Sequence, residues 1–277
     1  FLIDCGEGTQ IRMRQYGINP SRIHHILISH LHGDHVFGLF GLLSTLGMMG
    51  RRVPLNLYGP QALEEYVEFY KKFFGPLPFG LKFEFPSEHK EFIFENDKLS
   101  ISTISLKHRT PSFGYLFREK QKPLNIRKEQ IDVYGLGIAD LVKIKRGEDF
   151  RTASGTIVPN KDLTLPPFSQ RSYAYLSDTS YDPGLAEKVK GVDLLFHEAT
   201  FSKMDKKLAA QTQHSTAAEA ADLAKLAGVK KLLIGHFSSR YKDPSILEDE
   251  AKEIFENTSG VKDGDIYSIP LERLSGE

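Results

Sequence analysis

The sequence predicts a mixed α/β fold, on three observations. The last third alternates strand-like and helix-like runs. An apolar run of helical length lies near the start. Four strand-like runs each end on a side chain of the metal-ligating kind. With 277 residues, 40% of them hydrophobic, the chain suits one large domain with a sizeable core.

Taken in order, residues 1–4 read as a strand. The chain starts inside it and without a Met, so a preceding segment is expected. Residues 23–29 are a second strand-like run. Residues 36–49 are apolar on most faces and predict a buried helix. It is too short to span a bilayer and is interrupted by Gly38, Gly41 and Gly47. Residues 53–58 predict a strand, and 61–74 an amphipathic helix closed by Gly75-Pro76. Short strands are expected at 81–85, 91–94 and 99–106. Residues 118–171 are charged and broken by Pro and Gly, with Lys143, Lys145, Arg146 and Arg151 among them. They read as an arm inserted into a single domain spanning 1–277. Strands at 173–177, 193–196, 232–234 and 266–269 then alternate with helices at 216–227 and 245–255. Thr216 and Glu219 form a capping box, and Gly228 closes that helix.

Lys+Arg and Asp+Glu both number 36, so bulk charge neither argues for nor excludes a nucleic acid partner. The single Cys5 excludes an internal disulfide, reads as a small buried hydrophobe and fits a cytoplasmic location. No signal peptide or membrane-spanning run is visible, and no membrane partner is expected.

The chemistry is concentrated in His30-Leu31-His32-Gly33-Asp34-His35. Gly33 predicts a tight loop that presents His30 and His32 to one metal, and Asp34 and His35 to a second. The runs at 99–106, 173–177 and 231–235 deliver His108, Asp178 and His236. His108 completes the first set, His236 the second, and Asp178 is the best bridging carboxylate. Imidazole and carboxylate donors suit zinc, with manganese or iron as alternatives. Such a pair activates water and clamps a phosphoryl or acyl oxygen. His24, His25 and His89 read as structural. His197 reads as a residue near the site or a supporting one. His214 precedes the capped helix, whose N-terminus favours anions, and could protonate a phosphate held there.

Several further motifs run nearly end to end. They are Phe-Leu-Ile-Asp-Cys-Gly-Glu-Gly-Thr-Gln at 1–10, Ile-Ser-His-Leu-His-Gly-Asp-His at 28–35, and Leu-Lys-His at 106–108. Leu-Ser-Asp-Thr at 176–179, His-Glu-Ala-Thr-Phe at 197–201, His-Ser-Thr at 214–216 and Gly-His-Phe-Ser-Ser-Arg-Tyr at 235–241 follow. With them the chain resembles the metallo-β-lactamase-fold hydrolases, and more narrowly ribonuclease Z, the tRNA 3′-processing endoribonucleases. The resemblance implies an αβ/βα sandwich of two mixed sheets flanked by helices, with the arm at 118–171. It implies two Zn2+ per subunit, or Mn2+ or another divalent metal in their place. His30, His32 and His108 would hold one ion, Asp34, His35 and His236 the other, and Asp178 would bridge. Asp34 would also act as general base and His214 would assist the leaving oxygen. Lys143, Lys145, Arg146 and Arg240 would bind substrate. The implied activity removes the 3′ trailer of precursor tRNA and leaves a 3′-hydroxyl, in a cytoplasmic homodimer. The family's Gly-Pro pair in the arm is replaced by Tyr134-Gly135-Leu136-Gly137. The competing readings are a small-molecule phosphodiesterase or related hydrolase on the same scaffold, and a non-catalytic RNA-binding subunit.

Overall fold

The computed structural model describes residues 1–87 and 92–273. His89, and the start of the strand expected at 91–94, lie outside the described residues. The chain divides into two compact units.

The first unit comprises Phe1–Glu95, Ser100–Phe117 and Ser172–Tyr267. Its smaller sheet orders the strands Leu2–Ile3, His25–Leu27, Leu55–Tyr58 and Leu81–Glu84, all parallel. Its larger sheet has seven strands in the order Thr258–Gly260, Lys231–Gly235, Leu194–Glu198, Ser172–Leu176, Ser112–Glu119, Leu99–Leu106 and Phe94–Glu95. The first four pair in parallel and the last two antiparallel. So only the larger of the two sheets is mixed. Its core is built with the helix Ala217–Ala227, whose alanines let the helix lie close to the strands. Tyr115, fully buried, donates its hydroxyl to the Ile28 carbonyl at 2.7 Å and ties the large-sheet strand to the end of a small-sheet strand.

The run expected as one buried helix at 36–49 is two: Gly33–Val36 and Gly38–Met48. Leu39, Leu42, Leu43 and Leu46 recur at helical spacing and are fully buried against the small sheet. The other faces are not buried, and Phe37, Met48 and Met49 are exposed. The expected helix at 61–74 is Ala62–Phe74, stopped by Gly75 at φ 80°. The Thr216 capping box and the left-handed Gly228 are both present. The strand expected at 266–269 is not one. The edge strand is Thr258–Gly260, where the buried Thr258 brings the chain back to the sheet directly after the helix Ser245–Lys252. Among the described residues no helix is long and apolar enough to cross a membrane.

The second unit comprises Asn96–Leu99, Arg118–Arg171 and Ser268–Glu277. It holds the helices Lys128–Tyr134 and Ile138–Lys145 and the paired strands Phe150–Arg151 and Ile157–Val158. A second pair joins Asn125–Ile126 to Thr164–Leu165. Leu136, Ile144, Val158 and Leu163 form a small core of their own. The Asn160 amide donates to the carbonyls of Ile144 and Glu148 at 2.7 and 2.8 Å, fastening the connecting turn.

Candidate metal centre

The small-sheet strand His25–Leu27 runs out through Ser29 to His30 and His32. His32 then precedes the single helical turn Gly33–Val36, which carries Asp34 and His35. The tight loop expected at Gly33 is therefore a helical turn, closed by the His35 amide on the His32 carbonyl at 3.0 Å. Leu99–Leu106 leads to His108, Ser172–Leu176 to Asp178, and Lys231–Gly235 to His236. His236 adopts φ 61°, a left-handed conformation uncommon outside glycine.

The expected ligands converge as two groups, His30, His32, His108 with Asp178, and Asp34, His35 with His236, and a third, overlapping set joins Asp178, His214 and His236. In the first, His30 Nε2 and His108 Nε2 lie 3.0 and 3.3 Å from His32 Nδ1. In the second, His236 Nε2 lies 3.4 Å from His35 Nε2 and 3.3 Å from Asp34 Oδ2. Asp178 stands between. Its Oδ2 faces His30 and His108 at 3.5 and 3.8 Å, and its Oδ1 faces His35 and His236 at 3.5 and 3.4 Å. Each carboxylate oxygen thus addresses one group.

The donor set fits divalent ions. Two nitrogens bound to one zinc at roughly 2.0–2.1 Å in tetrahedral geometry lie about 3.3 Å apart, close to the ring-nitrogen separations here. Asp178 Oδ1 is buried without a hydrogen-bond partner, an arrangement that costs free energy unless a cation takes it up. Electrostatics agree for the first group and for both carboxylates. Hydrogen bonding to His236 holds the Asp34 carboxyl at about 2, and Asp178, despite its burial, is also held below the usual range by His35 and its neighbours. Burial, with His35 beside it, pushes His30 down to about 3, and burial also lowers His108. His30 and His108 therefore offer neutral nitrogens, as ligands must. For His35 and His236 burial opposes charge. The facing carboxylates prevail: Asp178 and Asp4 raise His35 to about 10, and Asp34 raises His236.

Residues beyond the candidate ligands hold the ring orientations. His108 Nδ1 donates to the Gln213 carbonyl at 2.9 Å. His236 Nδ1 lies 2.9 Å from the Thr200 hydroxyl, which donates to Glu198 Oε2 at 2.8 Å. His214 Nδ1 meets Glu198 Oε1 at 3.0 Å and lies 4.0 Å from Asp178 Oδ2. The Thr216 and Glu219 side chains already occupy the N-terminus of the neighbouring helix, so that end is not free for an anion. His197 is buried and donates to the Glu198 carbonyl at 2.6 Å, a structural role. Glu198, one residue on, points into the site because adjacent strand residues face opposite sides. The alternation itself was the signal that could have found it. Asp4 was likewise missed as a supporting residue, although it ends the first strand-like run.

Of the expected substrate-binding residues, Lys143, Lys145 and Arg146 belong to the second unit and Arg240 to the first. Lys143 and Lys145 are exposed in the last turn of Ile138–Lys145, and Arg146 caps it, where cations suit a helix C-terminus. Arg240 stacks over Phe201 at 5.0 Å and reaches Asp205 at 3.6 Å. Cys5 is fully buried, which pushes its thiol up to about 12.

A Ribonuclease Z of Bacteroides thetaiotaomicron is 46% identical over 260 residues, covering 93% of this chain and 82% of the relative. The human tRNase Z, short form, matches with a TM-score of 0.67 and 25% identity, over 97% of this chain and 87% of that one. The metallo-β-lactamase fold protein YhfI of Bacillus subtilis matches with a TM-score of 0.65 and 18% identity, over 96% and 86%. Residues 1–69 also match a family described as Anti-Pycsar protein Apyc1. The architecture is the metallo-β-lactamase fold.

Proposed function

The chain belongs to the ribonuclease Z family and is a metal-dependent hydrolase, and we propose that it removes the 3′ trailer from precursor tRNA, leaving a 3′-hydroxyl. The observation that carries this reading is Asp178, with one oxygen toward each of two ligand groups. His30, His32 and His108 would hold one divalent ion, zinc on this reading, Asp34, His35 and His236 would hold a second, and Asp178 would serve both. When bound, the ions supply an activated water and neutralise charge on the phosphoryl oxygens.

The chain's own groups do the rest. Asp34 turns Oδ2 toward His35 and His236 while its side chain stays 64% exposed, so a carboxylate oxygen is open to orient the attacking water. His214, held at Nδ1 by Glu198, presents Nε2 to the leaving oxygen as proton donor. Lys143, Lys145, Arg146 and Arg240 bind substrate phosphates, with the Arg118–Arg171 segment acting as the gripping arm. The reading includes a homodimer and a cytoplasmic location, and light scattering tests the first.

Incubation with a precursor tRNA bearing a 3′ trailer, with zinc or manganese, and sequencing of the product end tests the reading. One cut after the discriminator base or the CCA supports it. Turnover of a generic phosphodiester without tRNA cleavage would transfer the same site to the phosphodiesterase reading. Asp34→Ala should fold and lose cleavage, and full activity in that variant would remove the role given to Asp34.

A further inference from the structure

Phe37 caps the turn that carries Asp34 and His35 and is a large apolar side chain that faces solvent, at 63% exposure. Its ring lies directly on Gly33. A Cβ built on Gly33 would come within 2.3 Å of Phe37 Cε2 and 2.7 Å of Cζ, so the glycine is what lets the ring settle there. Gly33 is flanked by His32 of the first ligand group and Asp34 of the second. One trans peptide spans about 3.8 Å between Cα atoms, so the residue beneath the ring is a single peptide from a ligand of each group. Among the described residues no other ring stacks on Phe37, which leaves its outer face open. The backbone beneath is fixed. The Phe37 amide donates to the Gly33 carbonyl at 2.9 Å, and the Gly38 amide to the Cys5 carbonyl at 2.8 Å.

We propose that Phe37 is a substrate-specificity residue whose open face stacks a nucleobase flanking the scissile phosphodiester, and this rests on the RNA-cleaving reading above. Single-stranded RNA is commonly held by bases splayed onto aromatic rings, a contact that tolerates any base. A phenyl ring beside the metal ligands, anchored from below and open above, is a platform of that kind. It places the phosphodiester next to that base over the two ligand groups.

The test crosses protein and substrate changes. Wild type, Phe37→Ala and Phe37→Trp are assayed on an intact precursor tRNA and on precursors abasic at the nucleotide 5′ or 3′ of the cut. On the intact substrate Phe37→Ala should raise KM about 5- to 100-fold, and Phe37→Trp should restore it. On the precursor abasic at the stacked side the wild type should be equally weakened, and Phe37→Ala should cost nothing further. A role confined to protein packing would give the same loss on all three substrates. That result, or an unchanged KM for Phe37→Ala, overturns the inference. Failure of the wild type to cut any precursor would instead overturn the functional reading. Gly33→Ala offers a second variant: its methyl group must displace the exposed ring, so it should reproduce the Phe37→Ala kinetics with little change in melting temperature.

Discussion

Asp4 Oδ2 lies 2.8 Å from His35 Nδ1, which turns the Nε2 of that ring toward Asp34, Asp178 and His236. The same carboxylate accepts from the Ser29 amide, the Ser29 hydroxyl and the Tyr175 hydroxyl at 2.7, 2.9 and 3.0 Å. It does so from a residue at φ 55°, so backbone conformation and hydrogen bonding fix one another. Asp4→Asn keeps the shape but loses the charge that holds His35 as an Nδ1–H tautomer. Metal affinity should fall roughly 10- to 100-fold, read by titration of the metal-stripped protein. Asp4→Ala should in addition remove the acceptor of the Ser29 amide and the Tyr175 hydroxyl and lower the melting temperature.

The candidate ligands were legible because His30, His108, Asp178 and His236 follow four apolar runs and the other three cluster directly after His30, a pattern that survives ignorance of the topology. Asp4 and Glu198 were not, because their roles arise from contacts with His35 and His214, 31 and 16 residues away. The strand Ser112–Glu119 escaped notice for a related reason. Its middle is buried without clean alternation, and Gly114 occupies a place where a Cβ would meet the Tyr175 carbonyl at 2.7 Å. The charged stretch 118–171 hid its small core because Leu136, Ile144, Val158 and Leu163 are spread over separate short elements. The displaced edge strand shows the reverse error. Residues 266–269 carry the β-branched signal, but Ile266 is 90% exposed and the sheet edge is taken earlier, at Thr258–Gly260.

In the second unit, Arg171 donates to Glu119 through Nε at 3.0 Å and Nη2 at 2.6 Å. Those bonds hold the Glu119 carboxyl at about 2, below its ordinary value of 4.5. A depressed carboxylate contributes stability that is complete above the unfolded value and is lost as pH falls through the folded one. Wild type should therefore lose this contribution between about pH 4.5 and pH 2. Glu119→Gln should melt lower at pH 6 and show a flatter acid limb over that window, followed by thermal melts at half-unit steps. Parallel acid limbs for the two proteins would mean that the pair contributes nothing.

Lys143, Lys145 and Arg146 lie exposed within four consecutive positions at a helix end. Their bland role is to complement that helix C-terminus. Phosphate contact makes a different prediction, since each contact removed should lessen the slope of log affinity against log salt by roughly 0.7 to 0.9. The triple Ala variant should bind precursor tRNA more weakly at low salt and with a shallower slope. An unchanged slope in filter-binding titrations would confine these side chains to the helix.

Glu198 is fully buried and accepts from five donors. They are the amides of Thr179, Thr200 and Ser215, the Thr200 hydroxyl, and His214 Nδ1. The carboxylate uses both oxygens, so an amide in its place sets an NH2 group against some of those donors. Glu198→Gln should then turn His214 out of position as well as lower the melting temperature. Removing the proposed proton donor, His214→Ala, should lower kcat by about 100-fold or more while bound metal is retained. If Glu198 acts through His214, the double variant should be no slower than His214→Ala alone, because groups that work as one unit are not additive. A double variant slower by the product of the two single effects would separate them. Glu198 would then act mainly through Thr200 and His236, and its loss should appear as released metal.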